Sequence, residues 1–253
     1  MKHPALSLLL ASAAFTAATG PALADRRAFT FTYEYVTQPE GNLELEYYNT
    51  QARSRFGDGG VSSMSQQLEI EYGITDHTDV SLYQVVEQEG AGGLRYAETK
   101  LRARHRFAER GELPVDTLLY LELVKAFGTS AYELEPKLIL GKDVGQATLA
   151  LNLIPAIELV AERAPGGDEE LELEFEPGFA AGVTYEVSPK VKVGAEVWGK
   201  LEHPFDDAEL VTSAGPAVSW APSTKLWVTG TAGVGLTEAA DDLVVRFILA
   251  LGL

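Results

Sequence analysis

The sequence predicts an all-β chain: an antiparallel up-and-down transmembrane β-barrel of about 12 strands. Three observations predict it. The chain opens with an export signal, its remainder alternates in segments of roughly ten residues, and it closes on a strict alternation from Leu243 to Leu253. In that last segment every odd position is large and apolar, while the even set holds Arg246, Ala250 and Gly252. Side chains alternate across a strand, so one face is greasy and the other small or polar. Coupled to export and to many similar segments, this is the signature of a membrane barrel.

The elements follow in order. Residues 1–24 read as a secretory signal, with Lys2 as the positive start, Ala5–Ala18 as the apolar stretch and Ala22-Leu23-Ala24 as the cleavage site. No cysteine occurs in the chain, which excludes a lipoprotein anchor, disulfides and thiolate metal sites. No later run approaches the ~20 consecutive apolar residues of a spanning helix, so any crossing is by strands. Removal of Lys2 takes the formal charge from −17 to near −18, which argues against a nucleic-acid partner, because phosphate attraction dominates that binding.

Residues 25–42 form a separate N-terminal segment. Ala28–Val36 alternates like a strand and Pro39-Glu40-Gly41-Asn42 resembles a turn, yet counting it gives an odd number of strands. Bacterial single-chain barrels have even numbers. The segment is therefore expected at the periplasmic mouth or inside the lumen, with the barrel proper spanning 43–253.

Within the barrel, strands are expected near 43–54, 64–74, 79–88, 95–107, 115–126, 132–141, 147–159, 170–185, 190–201, 209–220, 225–236 and 242–253. Leu43–Tyr47 and Leu68–Tyr72 alternate in the first two, and Leu149 to Leu159 and Leu171 to Val183 run along single faces of the seventh and eighth. Helical spacing is absent from these windows, so period two prevails. Short turns at 75–79, 142–145, 187–190 and 221–224 alternate with longer or more variable loops at 55–63, 160–169 and 202–208, as periplasmic turns and external loops do. Tyr72, Phe107, Tyr185, Trp220 and Trp227 cluster at the turn end, where an aromatic girdle would sit.

The strongest candidate for function is a basic stripe. Lys100, Arg102, Arg104 and Arg106 share one face of a strand, with Leu101, Ala103 and Phe107 on the other. A cation facing lipid at the midplane costs roughly 2–4 kcal/mol, so the stripe is expected to turn inward. The same reasoning sends Glu69, Glu71, Glu170, Glu172, Glu174, Glu176, Lys192, Glu196, Lys200 and Arg246 toward the lumen. Two readings stay open: a charged pore that selects solutes, or cross-strand ion pairs filling a closed interior. A third is a soluble β-barrel with a hydrophobic ligand inside, which requires the opposite polarity.

Catalysis is not expected. After export only His77, His105 and His203 remain, and no serine shares the strand face of His105. No cofactor and no metal site is expected either, since Asp206-Asp207 and Asp241-Asp242 lack the spacing of a calcium loop. The glycine-rich stretches at 57–60 and 90–93 follow no strand-to-helix pattern and read as surface loops.

Tyr72-Gly73-Ile74-Thr75-Asp76-His77-Thr78-Asp79-Val80-Ser81-Leu82 resembles the strand–turn–strand unit of Gram-negative outer-membrane barrels grouped as transporters or with a phenol-degradation meta-pathway family. Tyr185–Val191 and Trp220–Leu226 look like variants of it. The resemblance implies a barrel in the outer membrane, lipids and the barrel-insertion machinery as partners, and solute transport as the activity. The closing aromatic of that group is absent, since the last residue is Leu253.

Overall fold

The computed structural model describes residues 26–128, 131–163 and 169–253, with backbone alone at 131, 160–163 and 169–172. The export segment 1–24 lies outside the described residues. Twelve strands form one closed antiparallel barrel: β1 Leu43–Arg53, β2 Ser62–Thr75, β3 Thr78–Glu89, β4 Arg95–Arg106, β5 Asp116–Ala126, β6 Ala131–Val144, β7 Ala147–Arg163, β8 Glu169–Ser188, β9 Val191–Glu202, β10 Glu209–Trp220, β11 Leu226–Gly235 and β12 Leu243–Gly252. Each strand pairs with its sequence neighbours, and β12 returns to β1 with Glu44 opposite Gly252 and Arg53 opposite Leu243. Closure leaves no edge, so every strand finds hydrogen-bond partners on both sides.

The alternation expected from the sequence governs both faces. On β5, Leu118, Tyr120 and Glu122 are buried inside while Leu119, Leu121 and Leu123 are exposed outside. On β4, Arg102 and Arg104 are buried, and Leu101, with Phe107 just past the strand end, stands on the outer surface at about half exposure. Leu149, Leu151 and Leu153 of β7 and Val245, Leu249 and Leu251 of β12 extend the outward apolar surface. A soluble carrier requires the inverse, apolar inside and polar outside.

The girdle needs one correction. Phe107, Tyr185 and Trp220 are about half exposed, but Trp227 is fully buried against Tyr48, Ile248 and Ala250. Its parity on β11 places it inward, beside Thr229 and Thr231. An aromatic near a strand end follows the pleat, not its own interfacial preference.

Residues 26–42 form no strand. They enter the lumen at the turn end, by the β8–β9 and β10–β11 turns, and return to that same end beside the β2–β3 turn. Arg26 donates to the carbonyls of Pro189 (3.1 Å) and Ser219 (3.0 Å), and Gly41 N–H donates to Gly73 O (2.9 Å). Between these points Ala28 and Phe29 are fully buried against the inner wall with Ala150 and Ala217. The wall is shaped to admit them. A Cβ on Gly182 would lie 2.4 Å from the Phe29 ring, and one on Gly73 would lie 2.0 Å from Pro39 O. Alternation alone made Ala28–Val36 resemble a strand. With the ladder already closed, its backbone is instead satisfied by side chains of the inner wall.

Candidate functional site

Three features occupy the lumen. Nearest the turns lies an ion-pair network. Arg102 Nη2 sits 2.9 Å from Glu69 and 2.7 Å from Glu71, and Arg102 Nη1 donates to Tyr83 Oη at 2.5 Å. Arg104 grips Asp79 through Nε (2.9 Å) and Nη2 (2.8 Å) and also donates to Glu71. Tyr48 Oη lies 2.6 Å from Glu46 and from Glu69, and accepts from Arg27 Nη1 at 2.9 Å. All these side chains are at most 5% exposed. The stripe is thus shared among elements. Lys100 stands above the network against Glu98 (3.1 Å) and Glu122 (3.7 Å), and Arg106 sits at the mouth with Glu109 (2.6 Å) and Thr37 (3.1 Å).

Oxygens of Glu46, Glu69 and Glu71 approach one another closely enough to ligate an ion. Arg102 already occupies the position a cation would take, with its guanidinium between two of the three carboxylates.

The second feature is the luminal segment and its anchors. Glu196, on the inner face of β9, accepts five hydrogen bonds: from the backbone N–H groups of Thr30, Phe31 and Thr32 (each 2.9 Å), from Thr30 Oγ1 (2.9 Å) and from Thr231 Oγ1 (2.6 Å). Asn152 pairs with the backbone of Tyr33 on both sides, accepting from its N–H at 2.6 Å and donating to its carbonyl at 2.9 Å. Lys192 lies 3.7 Å from Glu34, and Tyr35 Oη donates to Ala108 O at 2.5 Å. Hydrogen bonds to a buried carboxylate are among the stronger ones, about 1.5–3 kcal/mol each.

The third feature is a cavity of about 490 Å³ between this segment and the loop end. Phe31 and Tyr33 form its floor. Phe31 stacks on Trp198 with ring centroids 3.8 Å apart, and Arg246 lies over its other face at 4.0 Å. Lys137 sits 4.2 Å from the Tyr120 ring and 2.6 Å from Glu135, and Lys200 lies 2.8 Å from both Glu176 and Glu202.

Of the sequence candidates, Lys100, Glu176, Lys200 and Arg246 line this cavity. Glu174 stands exposed on the same face of β8, nearer the loops. Glu69, Glu71, Arg102, Arg104 and Glu196 face inward but meet other protein groups in place of open space, because carboxylates and guanidiniums from facing positions neutralise one another. The side chains of Glu170 and Glu172 lie outside the described residues. The sequence reading omitted Glu133, Glu135 and Lys137, which share one face of β6, and Glu122 and Trp198. The same parity argument would have found them.

The histidines stand apart from the lumen. His105 Nδ1 lies 2.9 Å from Thr78 Oγ1 on the outer surface, edge-on to Phe107, and His77 Nε2 lies 2.7 Å from Glu109 at the turn end.

No known family and no curated protein matches the chain, so the hairpin resemblance to the phenol-degradation group finds no support there. Solved structures do match in fold. The NanC porin superposes with a TM-score of 0.55 at 7% identity, over 83% of this chain and all of that one. The KdgM porin gives 0.58 at 10% identity, over 83% and 99%. The translocator domain of the autotransporter NalP from Neisseria meningitidis gives 0.54 at 10% identity, over 83% and 87%. Porins and a translocator share this architecture, so activity must be argued from the lumen. The chain has the fold of porin-like outer-membrane β-barrels.

Proposed function

We propose that this protein is a non-enzymatic outer-membrane channel for small solutes, closed at rest by its own residues 26–42. One observation carries the reading: the charged cavity of about 490 Å³ has a floor made from a segment that belongs to no strand. Such a floor can shift without breaking a single ladder hydrogen bond, whereas the wall cannot. The outward apolar surface and the porin-like fold support a place in the outer membrane, with the signal 1–24 removed on export. Lipid and the barrel-insertion machinery are then its partners there.

Planar-bilayer recording tests this. Glu196→Ala removes the carboxylate that holds three consecutive N–H groups. Gly182→Val displaces Phe29 by steric contact alone. Both are expected to raise the frequency of discrete openings well above that of wild type. The ion-pair network and the filled turn end favour a second reading, a closed barrel with a structural role. Silence of wild type and of both folded variants, at every voltage applied, would select that second reading.

A further inference from the structure

The cavity contains two ionisable side chains, Arg246 and Glu133, that no ion pair engages among the described residues, and they lie on opposite walls. Among the described residues, no carboxylate comes within ion-pair distance of Arg246. Its contacts are Thr50 Oγ1 at 2.7 Å, Thr30 O at 3.5 Å and the Phe31 ring. A guanidinium has five N–H donors, so several remain for a ligand. Glu133 likewise has no cation within ion-pair distance among the described residues, while its neighbours Glu135 and Glu176 are held by Lys137 and Lys200. Arg246 is on β12 and Glu133 on β6, six strands apart in a ring of twelve, and therefore diametrically opposed.

The separation between them sets the ligand. Twelve strands spaced about 4.8 Å and tilted about 40° give a ring roughly 24 Å across. Subtracting the reach of an arginine and a glutamate leaves about 10–12 Å between the two charged ends. A charge-assisted contact of about 2.8 Å at each end takes part of that gap, and a chain extends at most about 3.3–3.6 Å per residue, so two extended residues or three bowed ones bridge what is left. A single α-amino acid is too short to touch both ends.

We infer that the cavity binds short peptides with free termini, two to three residues long, taking the carboxylate at Arg246 and the ammonium at Glu133. The site is that of the channel proposed above, and the inference rests on that reading for its role in passage. The other ion pairs leave the middle of the cavity near neutral, and the stacked Phe31 and Trp198 give it an apolar floor on which side chains of varied type can lie.

Titration calorimetry on the folded, detergent-solubilised full-length mature protein tests the binding. Trialanine is expected to bind at least tenfold more tightly than acetyl-trialanine and than trialanine amide, because each blocked peptide lacks one charge-assisted contact. Glu133→Gln should erase the discrimination against the acetylated peptide alone, and Arg246→Gln the discrimination against the amide alone. Blocked peptides that bind as well as trialanine would overturn the inference, as would absence of trialanine binding to wild type. These comparisons on wild type stand even if a variant fails to fold. Conductance without peptide binding would sink this inference and leave the channel. Binding without conductance would remove the channel and leave the site.

Discussion

Arg102 shows how much a single side chain carries here. It is fully enclosed and lies within 3 Å of both Glu69 and Glu71. Removing one partner from such a group leaves buried charge uncompensated, at a cost of roughly 3–5 kcal/mol. Arg102→Ala is therefore expected to lower sharply the temperature at which the folded barrel converts to its heat-denatured gel form. Lys100→Ala should lower it less, since Glu98 keeps partial access to water and the buried Glu122, 3.7 Å from Lys100, keeps the hydrogen bond from Tyr120 Oη. An unchanged conversion temperature for Arg102→Ala would show that the buried network adds nothing to stability. At this scale the sequence was legible in direction and illegible in partner. Parity alone turned Glu196 inward with the other candidates, but nothing in Gly194-Ala195-Glu196-Val197 announces three backbone N–H groups arriving from residues 30–32. Such a contact spans more than 160 residues and depends on where the lumen places the early segment.

Among the elements, the twelve strands were readable within a few residues because one face of each must be apolar, which ties register to sequence. The segment Ala28–Val36 carries the same alternation without a strand, since local pattern cannot know that the barrel has already closed. The connection 107–115, at the turn end, also departs from the short-turn rule. It is held to the mouth through Glu109, which receives Arg106 at 2.6 Å and lies 2.7 Å from His77. Hydrogen bonds from Arg106 and then His77 keep the Glu109 carboxyl below the ordinary carboxylate range. A depressed carboxyl gives its full contribution above the ordinary value of about 4.3, and loses it as pH falls through the lower folded value. The connection should thus loosen on acidification below about pH 4, seen as faster pepsin cleavage within 107–115. Glu109→Gln should cleave rapidly throughout that range. A wild type whose cleavage stays parallel to that of the variant from pH 5 to pH 2 would refute the latch.

For the whole molecule, the decisive property is the inversion of polarity: charge inside, leucine and valine outside. It is the arrangement that a membrane setting, as proposed above, requires. A wall facing hydrocarbon cannot hydrate charge, and a closed ladder is the strand arrangement that leaves no backbone group unsatisfied there. The inversion separates a membrane barrel from a soluble one by a measurement on the outer surface. Leu121 is about half exposed at the centre of β5, between the buried Tyr120 and Glu122. In lipid, Leu121→Arg should cost roughly 2–4 kcal/mol, and Val187→Arg, close to the β8–β9 turn, only about 0–1 kcal/mol. In water neither change would matter, because an exposed leucine is replaced by a residue that hydrates well. Refolding into vesicles, followed by denaturant titration, reads the two costs side by side. A depth-dependent difference places β5 across the bilayer. Two equally mild effects would mean that the outward leucines meet water, and the chain would have to find another apolar partner to cover them.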